Sequence, residues 1–265
     1  MKKFHGNGDE AAFAEALSKL PSGVTLSWGF IKQPRRGPKG ELSIEKIVAA
    51  AIEIADRDGL SAVSMSRVAQ ALGFSAMSLY RYITSKEDLL TLMQDAVCAV
   101  PAPPKDTIPN WREGMRVFVR LNVDVFRKHP WFADIPIAGA PLTPNTLRLV
   151  DWVLGTMREC QVSDMEKMGF IMLLSSYARA NGILQRDMDL ALQAGGSEEQ
   201  FGGYSYSDVM KQLVKAEAYP DLYPVMQSGA YTGEANGTLD DDLDFGLERI
   251  LDGIAVYLET RGQSE

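Results

Sequence analysis

Cysteine and histidine are almost missing from this 265-residue chain. The two cysteines, Cys98 and Cys160, stand far apart, which excludes a disulfide framework and fits reduced thiols in a cytoplasmic protein. The two histidines, His5 and His129, have no Cys or His partner at metal-ligand spacing, so neither a metal nor another cofactor is expected. There is no Ser–His–Asp set and no glycine-rich phosphate loop, and an enzyme is not expected. No segment reaches the roughly 20 apolar residues of a membrane span. Residues 1–30 lack the continuous apolar core of a signal peptide. Period-two alternation and internal repeats are also absent.

What is present is charge division and helical periodicity. The net charge of −8 is unevenly spread. Residues 31–95 hold nine basic and eight acidic side chains, whereas residues 96–265 hold fifteen and twenty-four. Lys32, Arg35, Arg36 and Lys39 follow one another with no acid among them. A chain divided in this way has one face suited to nucleic acid and a second task elsewhere. Pro101, Pro103, Pro104 and Pro109 read as a stiff linker. The expected divisions are therefore an extension over 1–42 carrying a basic arm, a small domain over 43–98, and a larger helical domain over 110–262. The fold class is all-α.

Local signals place the helices. Ser43 caps a helix running to Arg57, and Gly59 supplies its left-handed terminus. Ser64 caps a short helix to Leu72, stopped by Gly73, and a third helix runs from Ala76 to Tyr82. Thr84 and Glu87 have capping-box spacing and open a fourth helix, to Val97. Further helices are expected from Asn110, after His129-Pro130, from Pro144, from Ser163 to Leu192, from Ser207 to Ala218 and from Leu239 to Thr260. Pro21 and Gly23 read as breakers of regular structure.

Residues 64–86 contain two short helices joined by a glycine turn, a helix-turn-helix. Val68, Ala69, Leu72, Phe74, Leu79 and Ile83 supply its packed side. Ser75, Ala76, Met77, Ser78 and Arg81 are left to face outward, a small and polar N-terminal surface that suits a major groove. The runs Ala-Asp-Arg-Asp-Gly-Leu (55–60), Val-Ala-Gln-Ala-Leu-Gly (68–73), Ser-Leu-Tyr-Arg-Tyr-Ile (78–83) and Ser-Lys-Glu-Asp-Leu-Leu (85–90) together resemble the TetR family of bacterial repressors. That resemblance covers residues 43–95. Arg-Lys-His-Pro-Trp (127–131) and Phe-Gly-Leu-Glu-Arg-Ile-Leu-Asp-Gly-Ile (245–254) are similar to its tetracycline-repressor-like branch.

The resemblance implies phosphate contacts from Ser64, Tyr80, Tyr82 and Lys86, and groove contacts from Ser75, Ala76, Met77, Ser78 and Arg81. Arg35, Arg36 and Lys39 read either as an arm following the minor groove or as a solvated linker. It also implies a pocket for a small-molecule effector in the C-terminal domain. Candidate lining residues are Phe118, Asn122, Trp131, Trp152, Met172, Tyr177 and Asn181, whose alternative reading is plain core. His129 reads as a cap rather than a ligand, and Asp240, Asp241, Asp242 and Asp244 complement a helix dipole. The helices from Ser163 and Leu239 are expected to pair as a homodimer through Leu243, Leu247, Ile250 and Ile254. The implied function is a transcriptional regulator released from a near-palindromic operator by its effector. A helical enzyme would leave the helix-turn-helix without a role, whereas an architectural DNA-binding protein without a ligand keeps one.

Overall fold

The computed structural model describes residues 15–30, 42–136, 139–193, 206–231 and 239–262. Among the described residues the chain is helical, with no strand. It forms two compact units, Met1–Glu159 and Cys160–Glu265.

The first unit holds α1 (Ser22–Ser27), α2 (Ile44–Asp58), α3 (Met65–Ala71), α4 (Ala76–Tyr80), α5 (Lys86–Val97), α6 (Trp111–Lys128) and α7 (Pro144–Thr156). Caps explain most of these boundaries. The Ser43 hydroxyl accepts from the Lys46 amide at 3.3 Å, and Gly59, at φ 80°, closes α2 by donating to Ala55 at 2.9 Å. Asn110 Oδ1 accepts from the Glu113 amide at 2.9 Å to open α6. At α5 the cap is Ser85, which accepts from the Asp88 amide at 3.0 Å, rather than Thr84. Thr84 instead donates its hydroxyl to the Asp88 carboxylate at 2.6 Å.

The apolar stripe of α2 (Ile47, Ala51, Ile54) meets Val68 of α3, Leu79 of α4 and Leu89 and Met93 of α5 in one core. That core continues past the proline-rich segment, because Val125 of α6 and Trp131 and Ile135 beyond it belong to the same cluster. His129 ends α6, its amide donating to Val125 at 2.9 Å, and its Nδ1 lies 2.8 Å from Asp56 Oδ1 on α2. Trp131 Nε1 donates to the same oxygen at 2.5 Å. Of the two readings open for Trp131, effector pocket or plain core, its 2% exposure and its place in the cluster favour the core, fastened to the helix-turn-helix unit.

Where the sequence reading had Pro21 and Gly23 ending regular structure, α1 forms and packs along α5. Proline is tolerated at the entry to a helix, where its missing N–H has no partner to lose.

The second unit holds α8 (Asp164–Gln193), α9 (Tyr206–Leu213), α10 (Leu222–Gln227) and α11 (Leu239–Gly262). The short α10 carries no sequence signal that singled it out. At the start of α8 a reciprocal capping box forms. The Ser163 amide donates to the Glu166 carboxylate at 2.7 Å, and the Glu166 amide to the Ser163 hydroxyl at 3.3 Å. Ties toward both ends of α11 then hold it to α8. Tyr177 donates its hydroxyl to the Leu243 carbonyl at 2.8 Å, opposite Gly246, where a Cβ would collide with that hydroxyl. Near the far end of α11, Tyr257 donates to Glu166, and Arg261 pairs with it at 2.8 Å.

The Ser163 hydroxyl, then Tyr257 and the Ser163 amide, lower the Glu166 pKa from 4.5 to about 2. A depressed carboxylate stabilises the fold above its unfolded value, and that contribution fades as pH falls through its folded value. A Glu166→Gln variant should therefore melt below wild type at neutral pH. The gap should narrow between pH 4.5 and about 2. A gap independent of pH over that window would show that the carboxylate's charge plays no part.

Candidate nucleic-acid interface

The reading head is built on α3 and α4. The Ser64 hydroxyl accepts from the Arg67 amide at 3.2 Å and so starts α3. Leu72 ends the helix, and Gly73, at φ 77°, takes a left-handed conformation that favours glycine. The Phe74 amide then donates back to Ala69 at 2.9 Å, closing the turn. Ser75, in extended conformation, opens α4, and its hydroxyl lies 3.0 Å from that of Ser78. The helix is five residues long; Tyr82 and Ile83 still donate to the Leu79 carbonyl as a turn, at 2.8 and 3.0 Å. Such a helix has no stability of its own. It is held by Leu79 and Ile83, both fully buried.

The opposite side of α4 is open. Met77 is 75% exposed, and Ser75, Tyr80 and Arg81 are also exposed. Ser78, Tyr82 and Lys86 are half-buried. Ala76 departs from its expected outward position: as the first residue of α4 it is half-buried, and its methyl packs on the core. The surface therefore has Met77 as an apolar tip between hydroxyls and the Arg81 guanidinium. Sequence reasoning missed Arg67, which pairs with Asp58 at 2.5 Å and ties α3 to the end of α2. Arg57, then Arg67, hold the Asp58 carboxyl below its usual range. Arg35, Arg36 and Lys39 lie outside the described residues.

The effector candidates divide between the units. In the first, Phe118 is buried, Asn122 Nδ2 donates to Phe118 O at 2.7 Å, and Trp152 Nε1 donates to Pro103 O at 2.7 Å. In the second, Tyr177 is tied to Leu243, Asn181 Nδ2 donates to Tyr177 O at 2.9 Å, and Met172 is 69% exposed. Each asparagine thus bonds the carbonyl one turn back in its own helix.

The expected dimer residues need correction. Leu243, Leu247 and Ile254 are buried inside the single chain, and Ile250 is half-buried. The apolar stripe of α11 is broad enough to serve two neighbours, and these residues are spent on the intrachain one. Among the described residues, the large apolar side chains α11 exposes are Phe245, Val256 and Tyr257, and α8 exposes Met165, Met168, Met172 and Leu173 in its first half and Leu184, Met188 and Leu190 in its second.

An anchored five-residue helix with an open polar face, preceded by a capped helix and a left-handed glycine, defines a helix-turn-helix DNA-binding protein. Comparison with known proteins agrees. Residues 47–93 match the model of the bacterial regulatory proteins, tetR family, and residues 100–258 match the tetracyclin repressor-like C-terminal domain. The transcriptional repressor DrrR1 of Streptomyces coeruleorubidus is 32% identical over 264 residues, 98% of this chain and 91% of that protein. The class E tetracycline repressor protein of Escherichia coli is 22% identical over 83% of this chain and 94% of its own. The structure of apo ActR from Streptomyces coelicolor superposes with a TM-score of 0.68 at 25% identity, covering 86% of this chain and all of that one. ActR bound to actinorhodin gives 0.65 at 26% identity, over 81% and 95%.

The chain belongs to the TetR family of transcriptional regulators. It is a DNA-binding transcriptional repressor, of a family of regulators rather than enzymes. Among the described residues no helix is long and apolar enough to cross a membrane.

Proposed function

We propose that the homodimer holds a near-palindromic operator in the cytoplasm, with one α4 in each of two successive major grooves, and leaves it when an effector binds the C-terminal region. The observation that carries this reading is the open face of α4 over its buried Leu79 and Ile83 anchors. In this reading Ser75, Met77, Ser78 and Arg81 meet the groove, with Ala76 at its margin, while Ser64, Tyr80, Tyr82 and Lys86 meet phosphates. Met77 would favour thymine methyls, and Arg81 a guanine edge. Arg35, Arg36 and Lys39 would follow the adjoining minor groove. Phe118, Asn122, Trp152, Met172, Tyr177 and Asn181 remain the proposed effector residues. The exposed apolar residues of α8 and α11 would pair the two copies.

The test is selection of bound duplex from a random pool, with molecular mass measured alongside. A palindrome enriched by a dimer supports the reading; no enrichment at low salt, where nonspecific attraction is strongest, opposes it. Arg81→Ala should weaken binding to the selected duplex by about 10–100-fold and relax preference at one base pair per half-site. A uniform loss across sequences would instead make Arg81 a phosphate contact. Actinorhodin and (S)-DNPA, the ligands bound in the ActR structures, are the first effectors to try.

A further inference from the structure

The segment before the helix-turn-helix packs on α5 and is joined to two places around it. Gly23 and Val24 of α1 are buried. A Cβ on Gly23 would lie 2.8 Å from Thr91 Cβ and 2.9 Å from Asp88 Cα, so only glycine permits so close an approach. The Gly23 amide donates to Asp88 Oδ1 at 2.5 Å. The other oxygen of that buried carboxylate receives the Thr84 hydroxyl at 2.6 Å. Thr84 sits immediately after the turn that ends α4. One carboxylate therefore joins the N-terminal segment to the exit of the exposed helix.

The other end of the segment is fixed elsewhere. Trp28 Nε1 donates to the Leu142 carbonyl at 2.8 Å, on the approach to α7. Two turns along α5 from Asp88, Asp95 accepts from the Asn145 amide at 2.8 Å and from its side chain at 3.0 Å, fixing the first turn of α7. Asp88 and Asp95 thus attach α5 to α1 and α7, and the segment from α1 to Trp28 bridges from α5 to the approach to α7. Residues 21–30 carry no charged side chain, so this segment offers phosphates no cation.

We propose that residues 21–30 are a splint that positions the DNA-reading helix through Asp88 and α5, with Asp88 as the positioning residue. The proposal rests on α4 being that helix. With the splint in place the exit of α4 is ordered before DNA arrives, and binding does not bear the cost of ordering it.

The experiment uses the dimer of the whole 265-residue chain carrying Gly23→Val, which forces α1 off α5, and separately Trp28→Phe, which removes the Leu142 bond and keeps a ring to stack on Phe30. Affinity is measured over a salt series for the duplex selected by wild type, and hydrogen exchange is followed along the chain. Gly23→Val should weaken binding about tenfold with an unchanged salt slope, because no phosphate contact is lost. Trp28→Phe should weaken it less. An Arg35→Ala/Arg36→Ala variant should instead flatten the slope. Exchange should quicken at residues 81–93 and stay as in wild type in α2.

Three outcomes would overturn the splint: affinity and exchange unchanged in Gly23→Val, a flattened slope in that variant, or protection lost evenly from α2 to α5. The exchange measurement needs no DNA. A splint that fails is therefore distinguishable from an operator that was never bound.

Discussion

Leu79→Ala should abolish operator binding while leaving the dimer assembled. Leu79 is fully buried, and with Ile83 it fastens α4 to α2 and α3. Truncating a buried leucine to alanine costs about 2–5 kcal/mol, by lost transfer energy and the cavity left behind. Five residues cannot hold a helix without that anchor. The loss falls on the first unit, whereas α8 and α11 belong to the second. The expected result is a melt in which an early transition moves down and a later one does not, a dimeric mass by light scattering, and no shift of the selected duplex. The contrast is Met77→Ala on the other side of the same helix. At 75% exposure Met77 supports nothing, so the melt should match wild type and only affinity and sequence preference should change. Retained binding by Leu79→Ala, within about threefold of wild type (about 0.65 kcal/mol), would mean that α4 is held by something other than its buried face.

Those two residues also show what a linear sequence displays and what it conceals. The helices, the glycine turn and the buried side of α4 were legible, because capping hydroxyls, left-handed glycines and 3.6-residue periodicity are local. Ser43, Ser64, Asn110 and Ser163 each accept the bond their position predicted. At the start of α5 local reasoning failed between neighbours. Thr84 and Ser85 both carry hydroxyls, and the choice follows from Asp88, whose carboxylate takes the Thr84 hydroxyl together with an amide 65 residues away. The helix α1 was concealed for the same reason: its stability comes from docking on α5, against the local tendency of Pro21 and Gly23. On α11 periodicity revealed a wide apolar stripe but not which part faces the same chain. The ties Tyr177–Leu243 and Glu166–Tyr257 decide that. The exposed side of α4 at Ser75, Met77 and Arg81 was the most legible part of the candidate site. The division of the C-terminal aromatic and methionine side chains between pocket and core was the least, since the same side chains serve both.

Trp131 is the case where that ambiguity has the largest measurable consequence. As a pocket residue its truncation would change effector affinity and little else. As a core residue 2% exposed, Trp131→Ala should cost about 3–5 kcal/mol. Its Nε1 bond to Asp56 allows the two roles to be separated. Asp56→Ala leaves a buried N–H without its acceptor, a penalty of about 1–3 kcal/mol. Trp131→Phe removes the donor and keeps most of the ring. In Trp131→Phe/Asp56→Ala no unsatisfied donor remains on the tryptophan side, so the double variant should lose less than the sum of the singles in urea denaturation. His129 shares the Asp56 oxygen at 2.8 Å, so repeating the cycle in His129→Ala separates its share of the coupling. Additive losses, together with a change in effector affinity from Trp131→Phe alone, would return Trp131 to the pocket. Non-additive losses at unchanged effector affinity make Asp56–Trp131 a joint between α2 and the turn after α6. A loosened joint there should then weaken operator binding, because the helix it braces is the one against which α4 is packed.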